Sequence, residues 1–257
     1  MEQKEILTIQ YNKNENKIIC SNEFLSTLND SVKKNLKLLK YYNINQKKIL
    51  AAFFASNKEV PNTLRYSVDN NLQTLIGNIG TIGFYNESLI SNNFERSIII
   101  ILESPHTDEY DSNFIPIAPA QGTTGINIET YLLKLLKLIK NQSDFFTQQT
   151  SLNILIVNPV PFQTSLAYLT NGTKDDDVRD QVWRTIWHSE NYQRKFSEKV
   201  NNFNNIDLII NACTTNLKSE ITNFLINNSN ISPIYECSHP SSWHSFHTKN
   251  FNLIRIR

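Results

Sequence analysis

The chain is 257 residues long, with 25 Lys and Arg against 24 Asp and Glu and a formal net charge of +1. No global basic field argues for nucleic acid, although near-neutrality still allows one positive face. The length supports one substantial core, or one domain plus an extension. Three widely spaced cysteines (Cys20, Cys213, Cys237) form no CxxC pair, so they offer neither a disulfide framework nor a full zinc or iron–sulfur ligand set.

The first residues, MEQKEILTIQ, lack an apolar signal core, and no run approaches the ~18 residues of a membrane helix. The expectation is a soluble cytoplasmic protein with no membrane partner. Residues 1–20 alternate weakly between apolar and polar and predict a hairpin around Asn12–Asn16. From Asn22, Phe24, Leu25, Leu28, Val32, Leu36 and Leu39 keep helical spacing, with lysines on the other face. A second helix is expected over Gln46–Ser56. Pro61 breaks this region, and Gly77, Gly80 and Gly83 mark turns. Residues 1–95 read as a mainly helical extension, and residues 96–257 as the α/β domain.

Five large aliphatics, Ile98 to Leu102, read as a fully buried central strand because the run is β-branched and too short for a helix. It stops at Glu103, followed by Ser104-Pro105-His106 and the acidic Asp108, Glu109 and Asp111. A loop, IPIAPAQGTTG (115–125), then feeds an amphipathic helix from about Ile126 to Lys140. Gly122 and Gly125 before its start would let backbone N–H groups approach a ligand. Asn153–Val157 (NILIV) is a second strand, ending at Asn158. A helix is expected from Val178 to about Phe203, with Trp183 and Trp187 on its core face. Asp207–Ile210 is a third strand, followed by a helix to about Ile226. Ile234–Cys237 is a fourth, running into Ser238-His239-Pro240-Ser241-Ser242-Trp243-His244. Alternating strands and helices predict a three-layer α/β/α fold with a small four-stranded parallel sheet. The strand C-termini would gather Glu103, Asn158, Asn211 and His239 on one edge.

Two segments at that edge resemble the uracil-DNA glycosylase superfamily. Leu102-Glu103-Ser104-Pro105-His106, with Pro119-Ala120-Gln121-Gly122-Thr123-Thr124-Gly125, resembles the Gly-Glu-Ala-Pro-Gly loop and Pro-Phe-Val-Gly-x-x-Gly turn of the iron–sulfur branch. His239-Pro240-Ser241-Ser242-Trp243 is similar to the family's His-Pro-Ser-Pro-Leu loop, and Val157-Asn158 matches its strand-end Asn. The resemblance covers roughly residues 96–250. It implies a monofunctional DNA glycosylase that acts on an extruded nucleotide in duplex or single-stranded DNA. By resemblance His239 stabilises the departing base, Glu103 the sugar cation or the water, and Ser104 positions the water. His106, Ala120, Gln121, Gly122 and Asn158 would line the base pocket. Ser241, Ser242 and Trp243 would meet DNA, Trp243 either as a wedge or packed under its loop. No cofactor is implied, and the cysteines of an iron–sulfur cluster are missing.

Ala120 stands where the family places a stacking Phe. Losing that ring forfeits roughly 1–3 kcal/mol of stacking but opens volume, which points to a modified or bulky pyrimidine and to anti-phage defence. Three rivals remain: a catalytically silent DNA- or protein-binding module of the same fold, a nucleoside or nucleotide N-glycosidase, and a metal-dependent hydrolase. The last would draw on His106, Asp108, His239, His244 and His247, which lack any recognised ligand spacing.

Overall fold

The computed structural model describes residues 5–11, 14–20, 59–60, 63–69, 71–77, 96–111, 116–142, 152–164, 176–188, 190–203, 206–231, 233–245 and 251–257. The helices expected over Asn22–Lys40 and Gln46–Ser56, and the turns at Gly80 and Gly83, lie outside these residues. Two compact units are present, each assembled from three stretches of chain. The first takes residues 1–60, 104–116 and 160–194, and the second takes 61–103, 117–159 and 195–257. Neither coincides with a division at residue 95.

In the first unit the expected hairpin forms. β1 (Glu5–Tyr11) pairs antiparallel with β2 (Asn14–Cys20), and Tyr11 faces Asn14 across the turn. Also in this unit is α2 (Asp176–Trp187), on which Trp183 and Trp187 are buried and stacked at 5.4 Å between ring centroids. One continuous helix was expected from 178 to 203, but a second, α3 (Glu190–Asn202), starts separately. The buried positions explain the break. The apolar ones run 183, 186 and 187, then 192, 196 and 200. The step of five between Trp187 and Tyr192 would swing the apolar stripe away in an unbroken helix.

The second unit is built on a seven-stranded sheet of order β4-β3-β6-β5-β7-β8-β9. Its strands are β3 (Thr63–Val68), β4 (Leu75–Gly77), β5 (Ser97–Ile101), β6 (Leu152–Val157), β7 (Ile206–Asn211), β8 (Ile234–Glu236) and β9 (Ile254–Arg255). β6, β5, β7 and β8 are mutually parallel. β3 and β4 on one side and β9 on the other run antiparallel. The expected four-stranded parallel sheet is therefore corrected: those four strands are the centre of a larger mixed sheet. The added strands escape the sequence pattern because β3 alternates buried Tyr66 and Val68 with half-buried Ser67, and β9 has only two residues. Continuous apolar runs mark strands buried on both faces, and these are not such runs.

β5 explains the centre. All five of its residues are buried, each isoleucine contributing about 1.5–3 kcal/mol of burial. Alternate residues serve opposite faces. Ile98, Ile100, Ile154, Ile156, Leu208 and Ile210 form one cluster with Ile128, Leu132, Leu135, Leu136 and Ile139 of α1 (Gly122–Lys140). Asn211, on the opposite alternation, bonds to α4 (Thr215–Asn228) through the Lys218 carbonyl and the Thr222 hydroxyl. α1 begins four residues before the expected Ile126, taking the glycines into its first turn. No described helix is long and apolar enough to cross a membrane.

Arg257, two residues past β9, ties this edge of the sheet to α4. Arg257 donates to the carbonyls of Ile226, Ser229 and Ile231 around the end of α4. A cation is favoured there by the helix dipole as well as by the exposed carbonyls. Arg257→Ala is expected to cost about 1.5–3 kcal/mol, read as a lower midpoint in urea with an unchanged slope.

Candidate active site

The strand order of the second unit reverses about β5. The chain leaves β5 for β6 on one side, then returns to β7 on the other and continues to β8. In parallel sheets the crevice at such a reversal, at the strand C-termini, is where ligands bind. Here the C-termini of β5 and β7 flank it. Register puts Ile101 beside Val157 and Asn211, and Asn211 beside Glu236. The residues that follow therefore emerge together on one edge.

Glu103 comes two residues after β5. It is half-buried, and its Oε2 accepts the backbone N–H of Thr214 at 3.3 Å. Thr214 is the N-cap of α4, and its own side chain makes no capping bond. The Glu103 carboxylate thus stands at the positive end of a helix that carries no acidic residue in its first turn, where a negative charge is favoured. Beside it, Cys213 is buried, and its thiol donates to the Leu102 carbonyl at 2.8 Å. Burial, and secondarily the nearby Glu103 charge, push this thiol well above its usual range. Burial likewise pushes Cys237 up to about 12, against the opposing pull of Lys218. Asn211, expected at this edge, turns its amide into α4, while its Oδ1 accepts the Cys213 N–H. It shapes the β7–α4 turn. Asn158 follows β6 directly and is buried, with 4% of its surface exposed.

His239 leads the segment after β8. The Ser241 amide donates to its Nδ1 at 3.2 Å, and the Ser241 hydroxyl lies 2.8 Å from the same nitrogen. An amide can only donate, so Nδ1 is an acceptor and the neutral ring carries its proton on Nε2. The Ser242 hydroxyl donates to the His239 carbonyl at 2.7 Å. Both serine hydroxyls thus take part in ordering His239. Trp243 lies in the 3₁₀ segment Pro240–Ser245 with 1% of its surface exposed. Its Nε1 donates to the Ser238 carbonyl at 2.8 Å, and its ring meets Phe251 edge-on at 5.2 Å. Of its two expected placements, the structure has the packed one. A wedge would need an exposed ring, and this one supports the loop from beneath.

The turn at α1 is joined to this loop. Asn127 is buried and donates to the Pro240 carbonyl at 2.8 Å. Sequence reasoning missed Asn127, although an Asn beside Ile128 on an apolar face was a usable signal. Gln121 is half-buried and bonds the Pro119 carbonyl, while Gly122 takes φ 56°. Ala120 has φ 57° and is fully buried within the core cluster. Its methyl packs in the core. The Ala120 carbonyl lies 1.9 Å from where a Cβ on Gly125 would stand. Only glycine fits there.

Two expected site residues belong to the first unit. The Ser104 hydroxyl is hydrogen-bonded to that of Thr164 at 2.8 Å. His106 is half-exposed, with Nδ1 3.3 Å from Asp108 Oδ2. Among the described residues no group of three or more His, Cys, Asp or Glu side chains could hold a metal ion, and His247 lies outside them. Comparisons with protein-family models, with curated proteins and with solved structures return no match.

Gly125→Ala is expected to cost at least about 1–3 kcal/mol through overpacking, seen as a fall in melting temperature. Raising the pH provides a second check. The Cys237 thiol is held neutral up to about 12 when folded, whereas the unfolded chain releases that proton from 9.0. Its contribution to stability is therefore full below pH 9.0 and is lost as pH rises toward 12. Cys237→Ala should show a shallower alkaline loss in denaturant titrations.

Proposed function

We propose that this chain is a DNA glycosylase. What carries the reading is one juxtaposition. A carboxylate, Glu103, is held at the reversal of a parallel sheet, and the His239 loop follows the adjoining β7–β8 pair on the same edge. His239 is ordered so that its Nε2 donates. Hydrolysis of an N-glycosidic bond needs both kinds of group. As the C1′–N bond breaks, its electron pair leaves with the base, and an N–H donor aimed at a base oxygen stabilises that charge. The sugar left behind is cationic, and a carboxylate stabilises it or orients the water whose oxygen bonds to C1′. The water's proton ends on the base, and an abasic site remains. A neutral imidazole suits the donor role because it needs no prior protonation at neutral pH.

The sequence resemblance supports the same assignment through Glu103, Asn158 and His239. Asn158, at the end of β6, has the amide chemistry that matches a pyrimidine edge. A modified or bulky pyrimidine and a place in anti-phage defence remain the proposal for substrate and setting. They rest on the departure from the family's stacking Phe, and the buried Ala120 methyl lends the volume argument no support.

The test is incubation with DNA containing uracil and, separately, glucosyl-hydroxymethylcytosine, followed by alkali to cut abasic sites. Strand cleavage in at least one arm is expected. Glu103→Gln and His239→Ala should each slow it by about 10²–10⁴-fold. Intact DNA in every arm with the unaltered protein, or full activity in both variants, would overturn the glycosylase reading.

A further inference from the structure

Three successive residues leaving β7 grip the last residue of β5 and the two that follow it. The Ala212 N–H donates to the Ile101 carbonyl at 2.8 Å. The Cys213 thiol donates to the Leu102 carbonyl at 2.8 Å, and the Thr214 N–H donates to the Glu103 carboxylate at 3.3 Å. Sheet pairing ends at Asn211, so the second and third contacts lie beyond the ladder. Leu102 is tied on its other side through its N–H, which donates to the Val157 carbonyl at 3.0 Å.

We infer that Cys213 is a positioning residue for Glu103, its thiol locking the Leu102 carbonyl so that the carboxylate is delivered to the N-terminus of α4. The chemistry is particular. Past the ladder, the Leu102 carbonyl takes its donor from a side chain, the buried Cys213 thiol. Its surroundings keep the sulfur protonated and hence a donor, because burial opposes the thiolate. Cys213 is itself held from behind by the Asn211 Oδ1 at its N–H. Asn211 is in turn bonded to α4. The carboxylate is thereby referred to a helix and two strands. A sulfur this deeply buried is neither an attacking thiol nor a metal ligand here.

Only the kinetic consequence of this inference rests on the glycosylase reading. The geometric part is tested without any substrate. Thr214 amide hydrogen exchange is measured in the full chain for the unaltered protein, Cys213→Ser, Cys213→Ala, Cys213→Val and Glu103→Ala. Exchange that is slow in the unaltered protein and about tenfold faster in Cys213→Ala, Cys213→Val and Glu103→Ala is expected. Cys213→Ser, which keeps a donor, should restore slow exchange. Exchange indifferent to Cys213→Ala and Cys213→Val, or indifferent to Glu103→Ala, in proteins whose circular dichroism shows them folded, overturns the inference. If both donorless Cys213 variants fail to fold, Cys213→Ser carries the test: fast Thr214 exchange in that folded variant overturns the inference, as does fast exchange in the unaltered protein.

With a cleavable DNA in hand, Cys213→Ala should lower kcat by about a hundredfold with KM little changed, and Cys213→Ser should restore it. Loss of kcat in strict proportion to loss of folded protein, with no rescue by serine, would show a merely structural thiol and overturn the inference. Should the exchange pattern appear as expected while no DNA is cleaved by any form, the grip stands and the glycosylase reading falls.

Discussion

Everything at the candidate site is referred to β5. It is hydrogen-bonded in parallel on both sides, to β6 and to β7, over its whole length. A strand so placed cannot slip by one residue without turning every buried isoleucine to the wrong face. Its register therefore fixes where Glu103 leaves the sheet. Because β7 and β8 take their register from it in turn, the same constraint sets the level of Asn211, Glu236 and the His239 segment beyond. The contacts past the ladder at Cys213 and Thr214 extend this alignment from the backbone to side chains.

The second wall is held differently. The His239 loop lies beyond the β8 pairing, and among the described residues it is ordered by the Ser238 N–H on the Phe251 carbonyl and by bonds of Ser241, Ser242 and Trp243, together with Asn127 reaching across from α1. The close approach of Gly125 to Ala120 shapes the start of that helix. Ala120 adopts left-handed backbone there, which costs an L-residue roughly 1–2 kcal/mol. A residue held in such a conformation inside a core reflects an over-determined turn, one end of which is tied to the histidine loop.

The strands of the parallel centre were legible because burial on both faces leaves an unmistakable record. SIIII, NILIV and DLII are runs that neither a half-solvated strand nor an amphipathic helix would keep. The antiparallel additions were not legible. Tyr66 and Val68 face the core while Ser67 does not, and Ile254-Arg255 is too short to show a period. The break between α2 and α3 was written in the five-residue step from Trp187 to Tyr192. At the site, Glu103 and His239 stand out by position, each just past a buried strand. Nothing in the spacing distinguishes Ser241, whose hydroxyl turns back on His239, from a serine that faces solvent. Trp243 read equally well as wedge or support, since a large aromatic after a polar loop satisfies either pattern.

By itself the sequence determined the α/β character of the chain, the central strands and the residues that follow each of them, because hydrophobic runs and their endings are local properties. Only the tertiary structure decided the seven-stranded extent of the sheet, the reversal about β5, the proton's place on His239 Nε2 and the burial of Ala120 and Trp243. Those depend on three-dimensional contacts, some between near neighbours, as of Ser241 with His239, and others across scores of residues: a thiol at 213 and a carbonyl at 102, an amide at 127 and a carbonyl at 240. It is at the stretch from Ser97 to Glu103 that the two kinds of information join. Its pattern announces a buried strand ending in an acid, and its neighbours in space decide where that acid is held.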